Sequence, residues 1–120
     1  YPAISLMIVV VIVWGTWSLL RESTAMSLAA VPSGIDPATV RAFLSGRPGL
    51  ASIHDLHIWP LSTTETALTA HLVIPAGNSG DAFLTETCRE LHRRFYIVHA
   101  TRQIEKSDDI HCTLAPDHVV

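Results

Sequence analysis

An uncharged apolar run at the N-terminal end constrains the folding of this chain more than any other feature. It extends from Ala3 to Leu20 and contains no charged side chain. A helix needs roughly 20 apolar residues to cross the hydrocarbon core of a bilayer, and the run is close to that length. Trp14 and Trp17 lie toward one end, where their rings favour the lipid interface. The sequence therefore predicts a transmembrane helix over residues 1–22.

Two other interpretations of the run are possible. A signal peptide begins with a basic region and ends at small residues, whereas no basic residue precedes this run and Arg21-Glu22 follows it. A buried core helix is the second alternative, because the run is only just long enough to span a membrane. Arg21, Arg41 and Arg47 follow the run, and basic residues favour the cytoplasmic side, so the downstream part is predicted to be cytoplasmic.

Composition narrows what the remainder of the chain can do. The 120 residues leave room for one small domain after the run. A formal net charge of −3 gives no basic surface, which argues against nucleic acid as a partner. Cys88 and Cys112 fit a reducing compartment better than a disulfide framework. Because the chain begins at Tyr1 without a methionine, we expect the run to be the last membrane span of a longer polypeptide.

Turn residues and hydrophobic periodicity divide the rest of the chain into short elements. Proline and glycine predict a linker over residues 23–35, and Asp36 followed by Pro37 predicts the start of a short helix. Two strands joined by a hairpin turn, an amphipathic helix and a last strand follow, over residues 50–61, 66–74, 83–95 and 97–105. This order predicts an α+β domain over residues 36–107, with both helices on one face of a three-stranded sheet, and a polar tail over 108–120.

Histidine and carboxylate side chains recur on the predicted strands. Alternation places His71, His99 and Glu105 on the sheet face opposite the helices. His57 has the same parity on the first strand and is a further candidate ligand. His54 has the parity of the core, so it reaches the outer face only at a strand edge or a β-bulge. The alternative is that each histidine is an isolated sheet residue bonded to backbone or water, and seven histidines in 120 residues make a shared site an equal alternative.

Imidazole, carboxylate and thiolate groups are the usual protein ligands of zinc. Cys112 follows Glu105 after a polar turn that is long enough to bring its thiol back to the same face. The sequence therefore predicts a site for a divalent metal ion, with zinc as the expected ion, although imidazole also binds Co²⁺, Ni²⁺ and Cu²⁺. A hydrolytic site is disfavoured because no general base stands beside an open metal position, so we expect no enzyme.

The sequence also resembles a known family. Residues 1–112 are similar to the last transmembrane helix and cytoplasmic C-terminal domain of the cation diffusion facilitators, the zinc-type proton-coupled metal exporters. The resemblance rests on specific motifs, which are LLRES at 19–23, PSGID at 32–36, HDLHIWPL at 54–61, LTAHLVI at 68–74 and H-x-T-x-Q-x-E at 99–105. It implies a ferredoxin-like fold, a homodimer, and zinc bound by the cytoplasmic domain near the dimer interface.

The resemblance also implies roles for individual residues. His54, His71 and His99 match positions where family members place metal ligands, and Glu105 and Cys112 match ligands of the vertebrate and related branches. The family's paired Asp/His transport site lies in earlier helices, so we expect no transport by residues 1–120 alone.

Two positions depart from the pattern of the family. Thr101 replaces an aspartate that some bacterial members use as a bridging ligand. Arg102 stands where an apolar residue is usual, so we expect either a remodelled end of the last strand or an acidic partner for the guanidinium.

The sequence thus predicts the regulatory and dimerisation domain, with the last membrane helix, of a zinc exporter in the cell (inner) membrane. Its expected partners are membrane lipid, divalent metal ions and a second copy of the chain. The alternative is a membrane-anchored ferredoxin-like sensor or adaptor that binds a small molecule or a protein without metal.

Overall fold

The computed structural model describes residues 1–77, 80–107 and 112–114. The elements are α1 (Pro2–Ser27), α2 (Pro37–Ser45), β1 (Ser52–Pro60), β2 (Thr66–Val73), α3 (Gly80–Phe95) and β3 (Ile97–Glu105). The chain consists of two compact units, which are residues 1–30 and residues 31–120. The predicted α+β fold, one long apolar helix followed by helix, strand, strand, helix and strand, is confirmed.

Helix α1 contains the apolar run and continues beyond it. It has 26 residues, an apolar window with a mean hydropathy of 2.3, and no buried residue. Its length and composition are sufficient to cross a membrane. The helix ends five residues later than expected, because neither proline nor glycine occurs between Glu22 and Ser27. The first part of the predicted linker is therefore helical.

Asp36 caps helix α2, as the sequence predicted. Its carboxylate accepts hydrogen bonds from the backbone N–H groups of Ala38 and Thr39, each at 3.2 Å, and from the hydroxyl of Thr39. These hydrogen bonds, with that of the Thr39 hydroxyl the strongest cause, hold the pKa of Asp36 below its usual value. The cap starts the helix at a position where Val40 and Leu44 both reach the core, and both are fully buried.

The strands form one sheet in the order β1-β2-β3, with β1 antiparallel and β3 parallel to β2. The parallel pair is joined through helix α3, as a parallel connection requires. Leu68 and Leu72 of β2, and Ile74 just after it, are at most 1% exposed and pack with Leu44 of α2 and Leu91 of α3. Both helices thus cover one face of the sheet, and Thr69, His71 and Val73 of β2 alternate with these core residues and belong to the other face.

A β-bulge interrupts the pairing of β1 with β2. His54 pairs with His71 and His57 pairs with Thr69, so β1 advances by three residues where β2 advances by two. Asp55, inside the bulge, has a φ of 50°, a left-handed conformation that aspartate tolerates better than most residues. Directly paired residues share a sheet face, so the extra residue brings His54 to the face of His71. Of the two ways that the sequence left open for His54 to reach the outer face, a strand edge or a β-bulge, the structure has the β-bulge.

Candidate metal centre

Four side chains that could bind a metal converge at one end of the outer sheet face. They are His54 of β1, His71 of β2, Glu105 at the end of β3, and Cys112 beyond that strand. One potential ligand atom from each lies within 4.8 Å of all the others. The register of the sheet explains this meeting, because His54 pairs with His71, and Glu105 pairs with Val73 two residues further along β2. We call these four residues the ligand group.

Glu105 lies between the two histidines of the ligand group. Its Oε1 atom is 2.9 Å from Nδ1 of His71, and its Oε2 atom is 3.3 Å from Nε2 of His54. The sulfur of Cys112 lies 3.8 Å from the same Nδ1 of His71. Gln103 fixes the carboxylate from the side by donating a hydrogen bond to Oε1 at 3.1 Å. Carboxylate, imidazole and thiol atoms thus face a common point.

The ligand group is shielded from solvent. The side chains of His54, His71 and Glu105 are 8%, 14% and 16% exposed. Within the described part of the chain, the buried Nε2 atom of His54 makes no hydrogen bond. Leaving a buried polar atom without a partner costs about 1–3 kcal/mol, and a metal ion at the common point would remove that cost. An open cleft, lined in part by Cys112 and Lys106, connects the group with solvent.

The chemistry of the donor set fits a zinc ion. Two imidazoles, a carboxylate and a thiol supply four ligands of the types that tetrahedral zinc sites use. An ionised carboxylate and a thiolate bring two negative charges, which balance the charge of a divalent cation in a poorly solvated place. The thiol makes hard cations such as Mg²⁺ and Ca²⁺ poor occupants, because these ions prefer oxygen ligands.

Two predicted site residues lie outside the ligand group. His99 is exposed and pairs with Ala67, four residues before His71 on β2, which is about 13 Å along the strand. Alternation fixes the face on which a side chain lies, but not its position along the sheet, so the sequence placed His99 too close to His71. His57 is 41% exposed and lies 2.8 Å from Asp55, to which its ring nitrogen is hydrogen-bonded.

Asp55 is a neighbour of the site, and its role is not apparent from the sequence alone. Its Oδ2 atom lies 3.4 Å from Nε2 of His71, and its Oδ1 atom lies 2.8 Å from Nε2 of His57. The signal that could have identified it is its place between His54 and His57, where the β-bulge must form. A carboxylate there contacts the side of the His71 ring that faces away from the ligand group.

Arg102 has a contact that the sequence did not predict. Its Nη2 atom lies 3.0 Å from the sulfur of Cys88 on α3, and no carboxylate pairs with it within residues 1–77, 80–107 and 112–114. Strand β3 nevertheless extends to Glu105, as predicted, so the arginine does not remodel the end of the strand. Cys88 belongs to a helix that packs on the opposite face of the sheet and is not a member of the ligand group. His111, beside Cys112, lies outside the described residues.

Comparison with known proteins gives one consistent result. A family model described as the cytoplasmic domain of cation efflux proteins matches residues 32–107. The metal cation efflux system protein CzcD of Cupriavidus metallidurans is 40% identical over 91 residues, which are 75% of this chain and 29% of that protein. The probable proton-coupled zinc antiporter SLC30A3 of Rattus norvegicus is 34% identical over 95 residues, 78% of this chain and 24% of that protein. This chain thus spans less than a third of these relatives.

A solved structure supports the same assignment. The metal-bound C-terminal domain of the CzcD transporter from Cupriavidus metallidurans is 39% identical and superimposes with a TM-score of 0.54. The match covers 59% of this chain and 99% of that domain. The likeness therefore extends over a whole domain in the solved structure.

Proposed function

The chain belongs to the cation efflux protein family and contains its cytoplasmic domain, and on this basis we propose that it binds Zn²⁺ to regulate a divalent-cation exporter. The observation that carries the proposal is the convergence of His54, His71, Glu105 and Cys112 within 4.8 Å. We assign α1 as the last span of the exporter in the cell (inner) membrane, in contact with lipid, with the residues after about 22 in the cytoplasm. The transported ion and the transport site belong to the whole exporter.

Zinc binding would act by selecting one arrangement of the domain. The four ligands come from β1, β2, the end of β3 and the segment beyond it. Because the full binding free energy is available only when all four side chains are in place, bound zinc favours the arrangement that brings them together. The segment 28–36 joins this domain to α1, so we propose that the ordering is transmitted to the membrane helix through that short connection.

We further propose that the domain functions as a homodimer and that zinc tightens the dimer. The domain is small, and its edge strand β3 exposes Val98, with Tyr96 exposed just before it. Apolar strand edges are normally covered in native proteins. Sedimentation of residues 31–120 with zinc and with a chelator is expected to show a dimer, with tighter association in zinc. A monomer at high micromolar concentration in both conditions would contradict this proposal.

Zinc is expected to protect Cys112, but not Cys88, from alkylation. A coordinated thiol is deprotonated and held by the metal, so it reacts more slowly than a free thiol. Mass spectrometry after brief iodoacetamide treatment, with zinc or with chelator, measures the two cysteines separately in one sample. Cys88 is the matched control because it is half-buried beside Arg102, away from the ligand group. Equal labelling of Cys112 in both states would remove it from the site.

The alternative of a metal-free sensor or adaptor explains fewer features of the domain. It leaves the buried Nε2 atom of His54 facing a carboxylate oxygen at 3.3 Å without a function. An anchored metallohydrolase draws no support from the two relatives compared above, which are named as a metal cation efflux system protein and a probable zinc antiporter. Failure of the domain to bind zinc would favour the metal-free sensor or adaptor. Hydrolysis of a generic phosphoester would favour the metallohydrolase.

A further inference from the structure

We propose that Asp55 is a positioning residue, which holds a proton on Nε2 of His71 and so presents Nδ1 of that ring to the metal. This inference rests on the proposed zinc site. The two nitrogens of His71 face different surroundings: Nε2 lies 3.4 Å from Asp55 Oδ2, whereas Nδ1 lies 2.9 Å from Glu105 Oε1 and 3.8 Å from Cys112. A ring that binds metal through Nδ1 carries its one proton on Nε2. Asp55 is the acceptor placed for that proton.

Electrostatics favour this assignment of the two nitrogens when a cation occupies the common point. Nδ1 also faces a carboxylate oxygen, Glu105 Oε1 at 2.9 Å, but there the cation would take the place of a proton. A lone pair on Nε2 would face a carboxylate oxygen, and the two negative regions would repel each other. A proton on Nε2 reverses the sign of that interaction and makes it attractive. The side chains of both His71 and Asp55 are only about one-seventh exposed, at 14% and 15%, so solvent screens the interaction weakly. Metal-binding histidines commonly donate their second N–H to a carboxylate, which orients the ring and makes it a better ligand.

The backbone of β1 makes this contact possible. In a regular strand His54 and Asp55 would lie on opposite faces of the sheet. The β-bulge breaks this alternation, and Asp55 adopts a φ of 50°, so that one short segment sends a ligand and a carboxylate toward the same imidazole. Strained conformations of this kind concentrate at functional sites. The left-handed residue in the bulge thus allows Asp55 to contact the ring of His71, which a regular strand would not allow.

His57 fixes the second oxygen of the Asp55 carboxylate. Its Nε2 atom lies 2.8 Å from Oδ1 of Asp55, which leaves Oδ2 directed at His71. The sequence placed His57 among the candidate ligands, but its ring nitrogen is engaged by the carboxylate and its side chain is 41% exposed. The three side chains thus form a series of contacts, in which His57 orients Asp55 and Asp55 orients His71.

Two substitutions of Asp55 separate this role from a general effect on folding. Asp55→Gly removes the carboxylate and accommodates a positive φ without penalty, so the bulge itself is not disfavoured. Asp55→Asn keeps an oxygen that can accept the proton of His71 and also tolerates the left-handed conformation. A residue that served only to form the bulge would be replaced equally well by glycine and by asparagine.

The test is long-range ¹H–¹⁵N NMR of the whole 120-residue chain in detergent micelles, with ¹⁵N-labelled histidine, as zinc is added. In the wild type and in Asp55→Asn, we expect His71 to bind zinc through Nδ1 and to keep its proton on Nε2. In Asp55→Gly, we expect both ring nitrogens to be populated as ligands and the dissociation constant for zinc to rise by about 10–100-fold.

The outcomes distinguish this inference from the proposed function. Wild-type affinity together with binding only through Nδ1 in Asp55→Gly would overturn the role of Asp55 and leave the zinc site intact. No change in any histidine signal of the wild type on addition of zinc would overturn the zinc site and this inference with it. A weakened Asp55→Gly with a restored Asp55→Asn supports the positioning role.

Discussion

Replacing His71 by alanine is expected to weaken zinc binding at least tenfold, about 1.4 kcal/mol, whereas replacing His99 by alanine leaves the affinity unchanged. His71 contacts two other members of the ligand group, Glu105 and Cys112. His99 lies near the opposite end of the same sheet, opposite Ala67. Both substitutions remove an imidazole. Only the position of each histidine along the sheet explains why their expected effects on zinc affinity differ.

Isothermal titration calorimetry of zinc into each variant measures the two affinities. Neither substitution should damage the core, because His71 lies on the face opposite the helices and His99 is exposed. Far-ultraviolet circular dichroism of both variants checks that the fold is retained. An affinity that falls in His99→Ala and not in His71→Ala would contradict the ligand group as described, and unchanged affinity in both would remove the site.

Zinc is expected to stabilise the folded domain strongly. An ion that binds only the folded state, supplied at a hundred times its dissociation constant, contributes about 2.7 kcal/mol to the free energy of unfolding. For a domain of this size that corresponds to a rise of roughly 10–20 °C in the melting temperature. The expected gain is large because the ligands of one ion come from separate parts of the chain, which unfolding would disperse. Thermal unfolding of residues 31–120 with zinc and with chelator measures it.

Substitution of single carboxylates provides the control for this stabilisation. Glu105→Ala removes a member of the ligand group, so most of the zinc-dependent rise in melting temperature should disappear. Glu86→Ala removes a half-exposed carboxylate on α3 that pairs with Arg89, so the rise should remain. Equal melting temperatures in zinc and in chelator for the unaltered domain would contradict a site of this affinity. Loss of the rise in both variants would indicate a nonspecific effect of charge.

Much of the fold follows from local features of the sequence. Asp36 and Pro37 mark the start of α2, the alternation of Leu68, Ala70 and Leu72 marks β2, and the last strand has the predicted bounds of residues 97–105. These features depend on capping and on the period of apolar residues, which act over a few positions. The end of α1 was less predictable, because a polar segment without proline or glycine can either continue a helix or end it.

The candidate site could be predicted only in part, because it depends on contacts between distant residues. Parity indicated that His71 and Glu105 share a face, and a strand edge or a β-bulge was the condition for His54 to join them; the structure has the bulge. Parity alone did not show that His99 lies far along the sheet. The signal lay in the spacing, because His99 and Glu105 are six residues apart on one strand, about 20 Å. The second neighbour of His71, Asp55, depends on the left-handed backbone inside the bulge.

X-ray absorption spectroscopy at the zinc edge, combined with elemental analysis of the whole chain, tests the central claim most directly. We predict one zinc ion per chain, bound by imidazole, carboxylate and a single sulfur at about 2.3 Å. The sulfur contribution should vanish in Cys112→Ser and persist in Cys88→Ser, because only Cys112 belongs to the ligand group. Zinc content far below one ion per chain, or a spectrum without imidazole and sulfur contributions, would contradict the account.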